Sequence, residues 1–337
     1  EETSMKVLVI GLGSMGKRRI RNLKALGSFE IFGYDVREDR REEANQKYNI
    51  TVFNNFDEAL QNTKFDAFII STPPDIHLHY VNIALDNDIH CFIEASVVDN
   101  GMKELIEKAR KKPNIKVCPS ATLRFHPSIR TIKSLVREEK IGKVSNFSYH
   151  SGQYLPDWHP WENVKDYYVS NPETGGCREI VPFELTWLND IFGDIDDVIG
   201  FRGKTIDVGA DIHDTYVAAI KYASNVFGTL IVDVTARNAI RRITINGEKG
   251  QIIWDWNEKQ VQLYSAEEKR WIIYKEPEGT IAEGYNKNII EEMYIKEMES
   301  FVNAIKGVCD FPNTLEDDYK TLQYLYKLEN SEKRLQR

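Results

Sequence analysis

The stretch Lys6-Val7-Leu8-Val9-Ile10, followed directly by Gly11-Leu12-Gly13-Ser14-Met15-Gly16, decides the fold class of this sequence. The first part is the apolar run of a buried strand, and the second matches the pattern G-x-G-x-x-G. Helical spacing follows from Lys17 to Leu26. Strand, glycine turn and helix therefore come in the order of a dinucleotide-binding βαβ unit.

Each glycine of the turn has an expected role. Gly11 permits the tight turn, Gly13 lets the backbone approach a pyrophosphate, and Gly16 allows close packing of helix on strand. The N–H groups at the start of the helix would face the phosphates. Asp35 closes the second strand, 19 residues beyond Gly16, where a carboxylate accepts hydrogen bonds from the adenosine ribose.

The choice between NAD and NADP stays open at the residues that follow Asp35. The carboxylate favours NAD, because it would repel a 2′-phosphate. Arg37, Arg40 and Arg41 could instead bind that phosphate, or they could be the solvated start of a helix.

The order of predicted strands and helices along the chain predicts two domains. Up to about residue 122, apolar strands (6–10, 29–35, 67–71, 91–93 and 116–118) alternate with helices (17–26, 40–48, 76–87 and 101–111), which indicates a doubly wound parallel sheet. After a helix at 127–139, eight predicted strands follow between residues 144 and 274, and helices at 287–306 and 315–331 close the chain. We predict an α/β Rossmann domain at 1–123 (1–4 a tag remnant). A second, α+β domain at 124–337 would carry a large, mainly antiparallel open sheet.

Composition excludes several classes of function. The formal net charge of −8 argues against a nucleic-acid or anionic-membrane partner. No window approaches the roughly 18 apolar residues of a membrane span, and we expect no signal peptide. The four cysteines are scattered, which predicts buried thiols and a cytoplasmic location. His77 and His79 would face different directions on a helix, so no metal site is expected.

With these motifs, the chain resembles the glucose–fructose oxidoreductase / inositol dehydrogenase (Gfo/Idh/MocA) family over nearly its whole length. The resemblance rests on the glycine turn and on further segments: Ser71-Thr72-Pro73-Pro74 with His77, Glu94, Leu123-Arg124-Phe125-His126-Pro127, Ile141-Gly142-Lys143-Val144 and Thr174-Gly175-Gly176. It implies an NAD(P)-dependent oxidoreductase of sugars, nucleotide sugars or cyclitols. It also implies a homodimer or homotetramer formed through the open face of the sheet.

The resemblance implies roles for individual residues. Pyrophosphate contacts would come from Gly11, Gly13, Ser14, Met15 and Gly16. Adenosine-ribose contacts would come from Asp35 and Arg37. Ser71, Thr72, Pro73 and His77 would lie against the middle of the cofactor, and Glu94 near the nicotinamide ribose. Arg124 and the stretch around Tyr154 to Trp158 would border the substrate.

Two departures from the family pattern affect the chemistry. Where the family has Glu-Lys-Pro, this chain has Glu94-Ala95-Ser96, so the expected lysine is missing. The family's aspartate and histidine would align with Ile180 or Glu179, and with Phe183 or Glu184. A replacement base is therefore needed, since general-base catalysis typically contributes about two to four decades in rate.

Candidate replacements are Glu179, Glu184 and His126. Arg178 could hold Glu179 ionised or bind an anionic substrate. Tyr154 to Trp161 is rich in aromatic residues and proline, which is typical of a wall that stacks on sugars or of an oligomer contact. The leading hypothesis is an NAD(P)-dependent enzyme that oxidises or reduces a secondary hydroxyl or keto group of a sugar-like molecule with a non-standard base. The alternative is a catalytically degenerate dinucleotide-binding regulator or partner subunit.

Overall fold

The computed structural model describes residues 3–337, so Glu1 and Glu2 of the predicted tag remnant lie outside the described residues. Contacts divide the chain into two units. One contains the chain up to Ala121 together with Tyr294–Tyr319, and the other contains Thr122–Met293 and Lys320–Arg337. The sequence prediction assigned all of 124–337 to one domain, whereas the structure groups Tyr294–Tyr319 with the first unit.

The first unit is built on a six-stranded parallel sheet. Its strands are β1 (Lys6–Ile10), β2 (Glu30–Tyr34), β3 (Thr51–Phe53), β4 (Ala67–Ile70), β5 (His90–Ile93) and β6 (Val117–Pro119). The connecting helices are α1 (Ser14–Leu26), α2 (Glu38–Tyr48), α3 (Phe56–Asn62), α4 (His77–Asp86) and α5 (Met102–Arg110). The strand order is β3-β2-β1-β4-β5-β6, so successive strands are added on one side of β1 up to β3 and on its other side from β4 onward. Sheets of this kind bind ligands in the crevice between β1 and β4, where the direction changes.

This arrangement confirms the predicted Rossmann class. The residues of β4 are fully buried, as a strand covered on both faces requires. β3 and α3 were not predicted, because a three-residue strand and a seven-residue helix carry too little periodicity. Two basic residues of α1, Arg18 and Arg19, are buried.

The second unit carries an eight-stranded sheet. Its strands are β7 (Val144–Tyr154), β8 (Ile195–Gly203), β9 (Thr215–Tyr222), β10 (Phe227–Asp233), β11 (Thr235–Gly247), β12 (Gly250–Asp255), β13 (Gln260–Ser265) and β14 (Arg270–Lys275). Their order is β14-β13-β12-β11-β7-β10-β9-β8, and every neighbouring pair is antiparallel except β7 with β10. The predicted large, mainly antiparallel sheet is confirmed.

Helices α6 (Pro127–Arg137) and α7 (Cys177–Phe192) cover the inner face of this sheet. Trp187 of α7 packs edge-on against Tyr149 and Trp254, with ring centroids 5.1 and 6.3 Å apart. α7 was not predicted as a helix, because Pro182 interrupts its sequence pattern.

Helices α8 (Glu291–Ile305), α9 (Leu315–Glu329) and α10 (Ser331–Leu335) close the chain. Across residues 3–337, no helix combines the length and the apolar character that crossing a membrane requires. Cys91, Cys118 and Cys177 are buried as predicted, whereas Cys309 is exposed.

Candidate functional site

The glycine turn between β1 and α1 has no room for side chains at two of its positions. A Cβ on Gly11, whose φ is +91°, would lie 2.5 Å from the carbonyl oxygen of Ser71, and one on Gly16 would lie 1.8 Å from that of Gly11. α1 starts at Ser14 and has no acidic residue in its first turn. A close backbone approach at an uncluttered, electropositive helix start fits the pyrophosphate of a dinucleotide.

Asp35 lies directly after β2 and holds this turn in place. Its buried carboxylate accepts hydrogen bonds from the backbone N–H groups of Leu12 (2.8 Å) and Arg37 (2.9 Å). Each oxygen keeps further acceptor capacity, which suits the two hydroxyl groups of a ribose.

The three arginines after Asp35 do not form a common phosphate site. The guanidinium of Arg37 is paired with Asp39 at 2.6 Å, and that of Arg41 donates to the carbonyl oxygens of Asp35 and Val36. Only the guanidinium of Arg40 lies over the turn, 3.4 Å from where a Cβ of Gly13 would be and 3.8 Å from Asp35. The contact of Arg37 with the ribose stays a prediction, and in this structure its guanidinium is paired with Asp39.

The loop after β4 is held by His77. The Nε2 of His77 lies 2.7 Å from the carbonyl oxygen of Thr72, so Nε2 carries the proton and donates it. Burial lowers the pKa of His77, which keeps the ring neutral. Its Nδ1 is buried and has no hydrogen-bond partner within residues 3–337. A buried acceptor without a partner fits a site that a bound molecule completes.

Glu94, at the end of β5, belongs to a buried ionic network. Arg19 donates two hydrogen bonds to Glu94 (2.7 and 2.9 Å) and one to Glu297 (2.8 Å). The hydroxyl of Ser71 also donates to Glu94, at 3.1 Å. Glu297 accepts from the backbone N–H of Ala121 at 2.8 Å. Burial opposes the charge on Arg19, but the two carboxylates outweigh it and raise the pKa of the guanidinium.

Sequence reasoning missed Arg19 and Glu297, although they fix the side chain of Glu94. The available signal was weak. Arg19 lies among five basic residues of α1, and Glu297 lies 278 positions further along the chain.

Glu184 does not have the environment of a general base, which corrects the prediction made from the sequence. Its side chain is fully buried and accepts four hydrogen bonds, from Tyr149 (2.6 Å), Arg241 (2.7 Å), Trp187 (2.7 Å) and Ser151 (2.9 Å). All of its bonding capacity is used inside the core between α7 and the sheet. Glu184 is therefore a structural residue.

His126 is also a structural residue. It caps the start of α6, where its Nδ1 accepts a hydrogen bond from the backbone N–H of Ser128 at 3.1 Å. Its ring packs against Trp254 at 5.3 Å. Burial, aided by the charge of Arg241, lowers the pKa of His126 to about 3. A ring that stays neutral and enclosed cannot exchange protons with a substrate at neutral pH.

Two arginines predicted to border the substrate are engaged elsewhere. The guanidinium of Arg178 donates to Glu329 at 3.1 Å and does not hold Glu179. The side chain of Arg124 donates to the carbonyl oxygen of Thr186 at 3.0 Å.

Glu179, in the first turn of α7, has a different environment. The hydroxyl of Tyr168 donates to its Oε1 at 2.6 Å, while its Oε2 is buried and has no partner in the described part of the chain. Burial raises the pKa of Glu179 to about 7, although the bond from Tyr168 works in the opposite direction. A carboxyl group that titrates near neutral pH can accept or donate a proton under working conditions. Tyr168 was not among the predicted site residues.

The aromatic segment before α7 contains further unsatisfied polar atoms. The Nε1 of Trp158 and the hydroxyl of Tyr167 are buried without hydrogen-bond partners among residues 3–337. His159 is stacked between Trp161 and Tyr167, at 4.8 and 4.5 Å. Tyr154 lies under the guanidinium of Arg237, 3.9 Å from its ring centroid. The segment thus contains packed aromatic rings and two buried polar atoms that the described residues leave without a hydrogen bond.

Family models match both units of the chain. The model of the oxidoreductase family with an NAD-binding Rossmann fold matches residues 5–118, and that of the GFO/IDH/MocA C-terminal domain matches residues 129–253.

The individual curated proteins that match this chain are distant relatives. An oxidoreductase named YteT of Bacillus subtilis is 24% identical over 264 residues, which cover 58% of this chain and 62% of the relative. Oxidoreductase P35 of Formosa agariphila is 23% identical over 202 residues, covering 59% of this chain and 62% of that protein. The chain thus spans less than two thirds of the curated relatives that it matches.

Solved structures share the fold along nearly the whole chain. A levoglucosan dehydrogenase in complex with NADH and levoglucosan has a TM-score of 0.85 at 16% identity, over 98% of both chains. An oxidoreductase from Agrobacterium radiobacter, in complex with NAD⁺, L-tartaric acid and magnesium, has a TM-score of 0.86 at 14% identity, over 98% of this chain and 96% of that one. With both domain models matched in order, this chain belongs to the Gfo/Idh/MocA family of oxidoreductases.

Proposed function

We propose that this protein is an NAD-dependent dehydrogenase or reductase acting on a secondary hydroxyl or keto group of a sugar, sugar acid, nucleotide sugar or cyclitol. The observation that carries the proposal is the glycine turn that Asp35 clamps at the switch point of the parallel sheet. Membership of the oxidoreductase family and the levoglucosan dehydrogenase among the structural neighbours support the same class of reaction.

NAD is the proposed cofactor in preference to NADP. A 2′-phosphate would have to lie beside the carboxylate of Asp35. Of the three arginines that could offset that repulsion, Arg37 and Arg41 are engaged with Asp39 and with backbone carbonyl groups, which leaves Arg40, 3.8 Å from Asp35. The energetic balance near the adenosine ribose therefore favours a free hydroxyl group.

The proposed chemistry consists of a hydride transfer, which the cofactor supplies, and a proton transfer, which a side chain of the protein carries out. When bound, the nicotinamide accepts or donates the hydride. The hydroxyl proton of the substrate needs a base, and Glu179 is the proposed one, because its pKa near 7 suits both directions of transfer. Glu184 and His126 are not proposed, because their bonding capacity is used by the core.

Cofactor titration followed by a substrate screen tests the function. Binding of NADH and NADPH is measured by the fluorescence of the reduced nicotinamide. Turnover of levoglucosan, D-glucose, D-gluconate, myo-inositol and a nucleotide sugar is then followed by nicotinamide absorbance. We expect tighter binding of NADH and turnover of at least one compound. Binding of NADH without turnover of any polyol or keto sugar would favour the degenerate regulator instead.

Homo-oligomerisation through the outer face of the eight-stranded sheet is also proposed. Phe201, Val217 and Phe227 are 61%, 41% and 53% exposed. Strand register places them on one face of the sheet. Phe201 pairs with Val217, and Phe227 pairs with Lys221, which lies four residues after Val217 on β9 and therefore on the same face. Light scattering of wild type and a Phe201→Asp/Phe227→Asp variant tests this, and an unchanged oligomeric mass in the variant would count against it.

A further inference from the structure

One tyrosine hydroxyl is placed next to the candidate base. Tyr168 lies in a short helical turn before α7, and its hydroxyl is 2.6 Å from Oε1 of Glu179. Both residues are half-buried, although Oε2 of Glu179 is itself enclosed. The pair therefore lies at the edge of the protein interior and not in the middle of the core.

The chain before α7 is shaped to hold this pair together. A Cβ on Gly175 would lie 2.0 Å from the carbonyl oxygen of Val169, so only glycine allows the two segments to approach so closely. The hydroxyl of Thr174 and the backbone N–H of Asn171 both donate to the carbonyl oxygen of Tyr168, at 3.1 and 3.0 Å. The backbone of Tyr168 is thus fixed against the first turn of α7, which contains Glu179.

A comparison within the same unit indicates that the pair is not merely structural. Tyr149 donates to Glu184 at the same distance of 2.6 Å, but Glu184 has three further donors and both groups are fully buried. Glu179 has one donor and an oxygen without a partner within residues 3–337. A core hydrogen bond does not require such an incomplete arrangement.

We propose that Tyr168 is a catalytic residue that contacts the reacting hydroxyl group of the substrate and relays its proton to Glu179; this rests on the proposed function. In the oxidative direction, the C–H bond of the substrate breaks and its electron pair leaves with the hydrogen to the nicotinamide of NAD⁺. The substrate O–H proton passes to the oxygen of Tyr168 while the phenolic proton passes to Oε1 of Glu179. The products are the carbonyl compound, NADH and a neutral carboxylic acid at Glu179, and the reductive direction reverses each transfer.

Three variants test the relay on whichever compound of the substrate panel the wild type oxidises. Tyr168→Phe and Glu179→Gln remove the two members of the pair. Tyr216→Phe is the matched control, because it also removes a tyrosine hydroxyl that donates to a buried carboxylate, that of Glu329, at 2.8 Å. We expect kcat to fall about 100-fold or more in the first two variants, the usual contribution of acid–base catalysis, and to stay close to wild type in the control.

The pH profile separates a relay from a loss of folding. Oxidation should rise with pH through the pKa of Glu179, near 7 in the wild type. The phenol lies beside that carboxyl group and lowers its pKa, so in Tyr168→Phe the rise should move to higher pH. In Glu179→Gln it should disappear. The phenols of Tyr167 and Tyr168 are the titratable groups known to interact with Glu179.

A second readout does not depend on turnover. Infrared difference titration, with Glu179→Gln subtracted, follows protonation of the Glu179 carboxyl group in the NAD⁺-bound protein. The expected result is a midpoint near neutral pH that rises in Tyr168→Phe. The relay is overturned alone if Tyr168→Phe turns over like the wild type or if the midpoint does not move. A wild type that binds NAD⁺ but oxidises no compound overturns the proposed function and the relay together.

Discussion

Replacing Arg19 with methionine should destabilise the first unit far more than the loss of an ordinary surface charge. The guanidinium has no exposure, and its partners Glu94 and Glu297 are 13% and 0% exposed. Methionine fills similar space but leaves two carboxylates without their cation. Removing one partner of a buried ionic network typically costs about 3–5 kcal/mol in the free energy of unfolding. Because Glu94 would lose the bidentate bond that fixes it, binding of NADH should weaken as well.

Lys17→Met is the matched control on the same helix. Lys17 pairs with Glu43 at 2.9 Å, but that pair is solvent-accessible and should contribute less than about 1 kcal/mol. Urea unfolding followed by circular dichroism compares the two variants with Arg19→Met/Glu297→Gln. The double variant should be less destabilised than the sum of its single changes, because removing one carboxylate relieves the uncompensated charge. A cost for Arg19→Met no larger than that for Lys17→Met would refute the reasoning.

Three further predictions concern single residues. Asp35→Asn keeps an acceptor for the backbone but removes the charge, so NADPH should bind about ten times better relative to NADH in fluorescence titrations. Glu184→Gln should lower the free energy of unfolding by about 3–5 kcal/mol, because Arg241 loses its anion. The pH at which turnover rises should stay unchanged, and a shift of that pH would contradict a structural role for Glu184. His126→Asn keeps a cap for α6 but removes a titrating group. Burial and Arg241 lower the pKa of His126 to about 3 from 6.5, so its contribution to stability is complete above pH 6.5 and is lost as pH falls toward 3. Between pH 6.5 and 5, the wild type should lose about 2 kcal/mol more than His126→Asn (1.5 × 1.36 kcal/mol), and equal slopes in urea unfolding would contradict this.

The fold could be predicted from the sequence because its signals are local. The glycine turn, the continuous apolar strands and the alternating pattern of the second half each depend on a few neighbouring residues. One of the eight strands predicted between residues 144 and 274, that at 215–222, coincides with β9 (Thr215–Tyr222), whose residues alternate between exposed and buried. The prediction failed where the signal was too short, as at β3, or where proline masked a helix, as at α7.

The roles of the two glutamates could not be separated from the sequence, because they depend on distant partners. Glu184 meets Arg241, which is 57 positions away, and Tyr149, which is 35 away. The sequence around Glu184 therefore does not indicate that these two donors meet its carboxylate. The same limit applies to Arg178, whose partner Glu329 lies 151 positions further on.

Hydrogen-bond satisfaction therefore distinguishes the structural carboxylate of Glu184 from that of Glu179, the proposed base, within the same helix. Glu184 accepts four bonds and completes a core that holds α7 against the sheet. Five positions earlier, Glu179 is enclosed with one bond and one free oxygen, and burial raises its pKa to about 7. An incompletely satisfied buried acid lowers stability, since each missing bond costs roughly 1–3 kcal/mol. Residues kept at such a cost are concentrated at functional sites, which supports the proposal that the chemistry of the second unit lies at Glu179 and Tyr168 and not at the better-packed acid beside them.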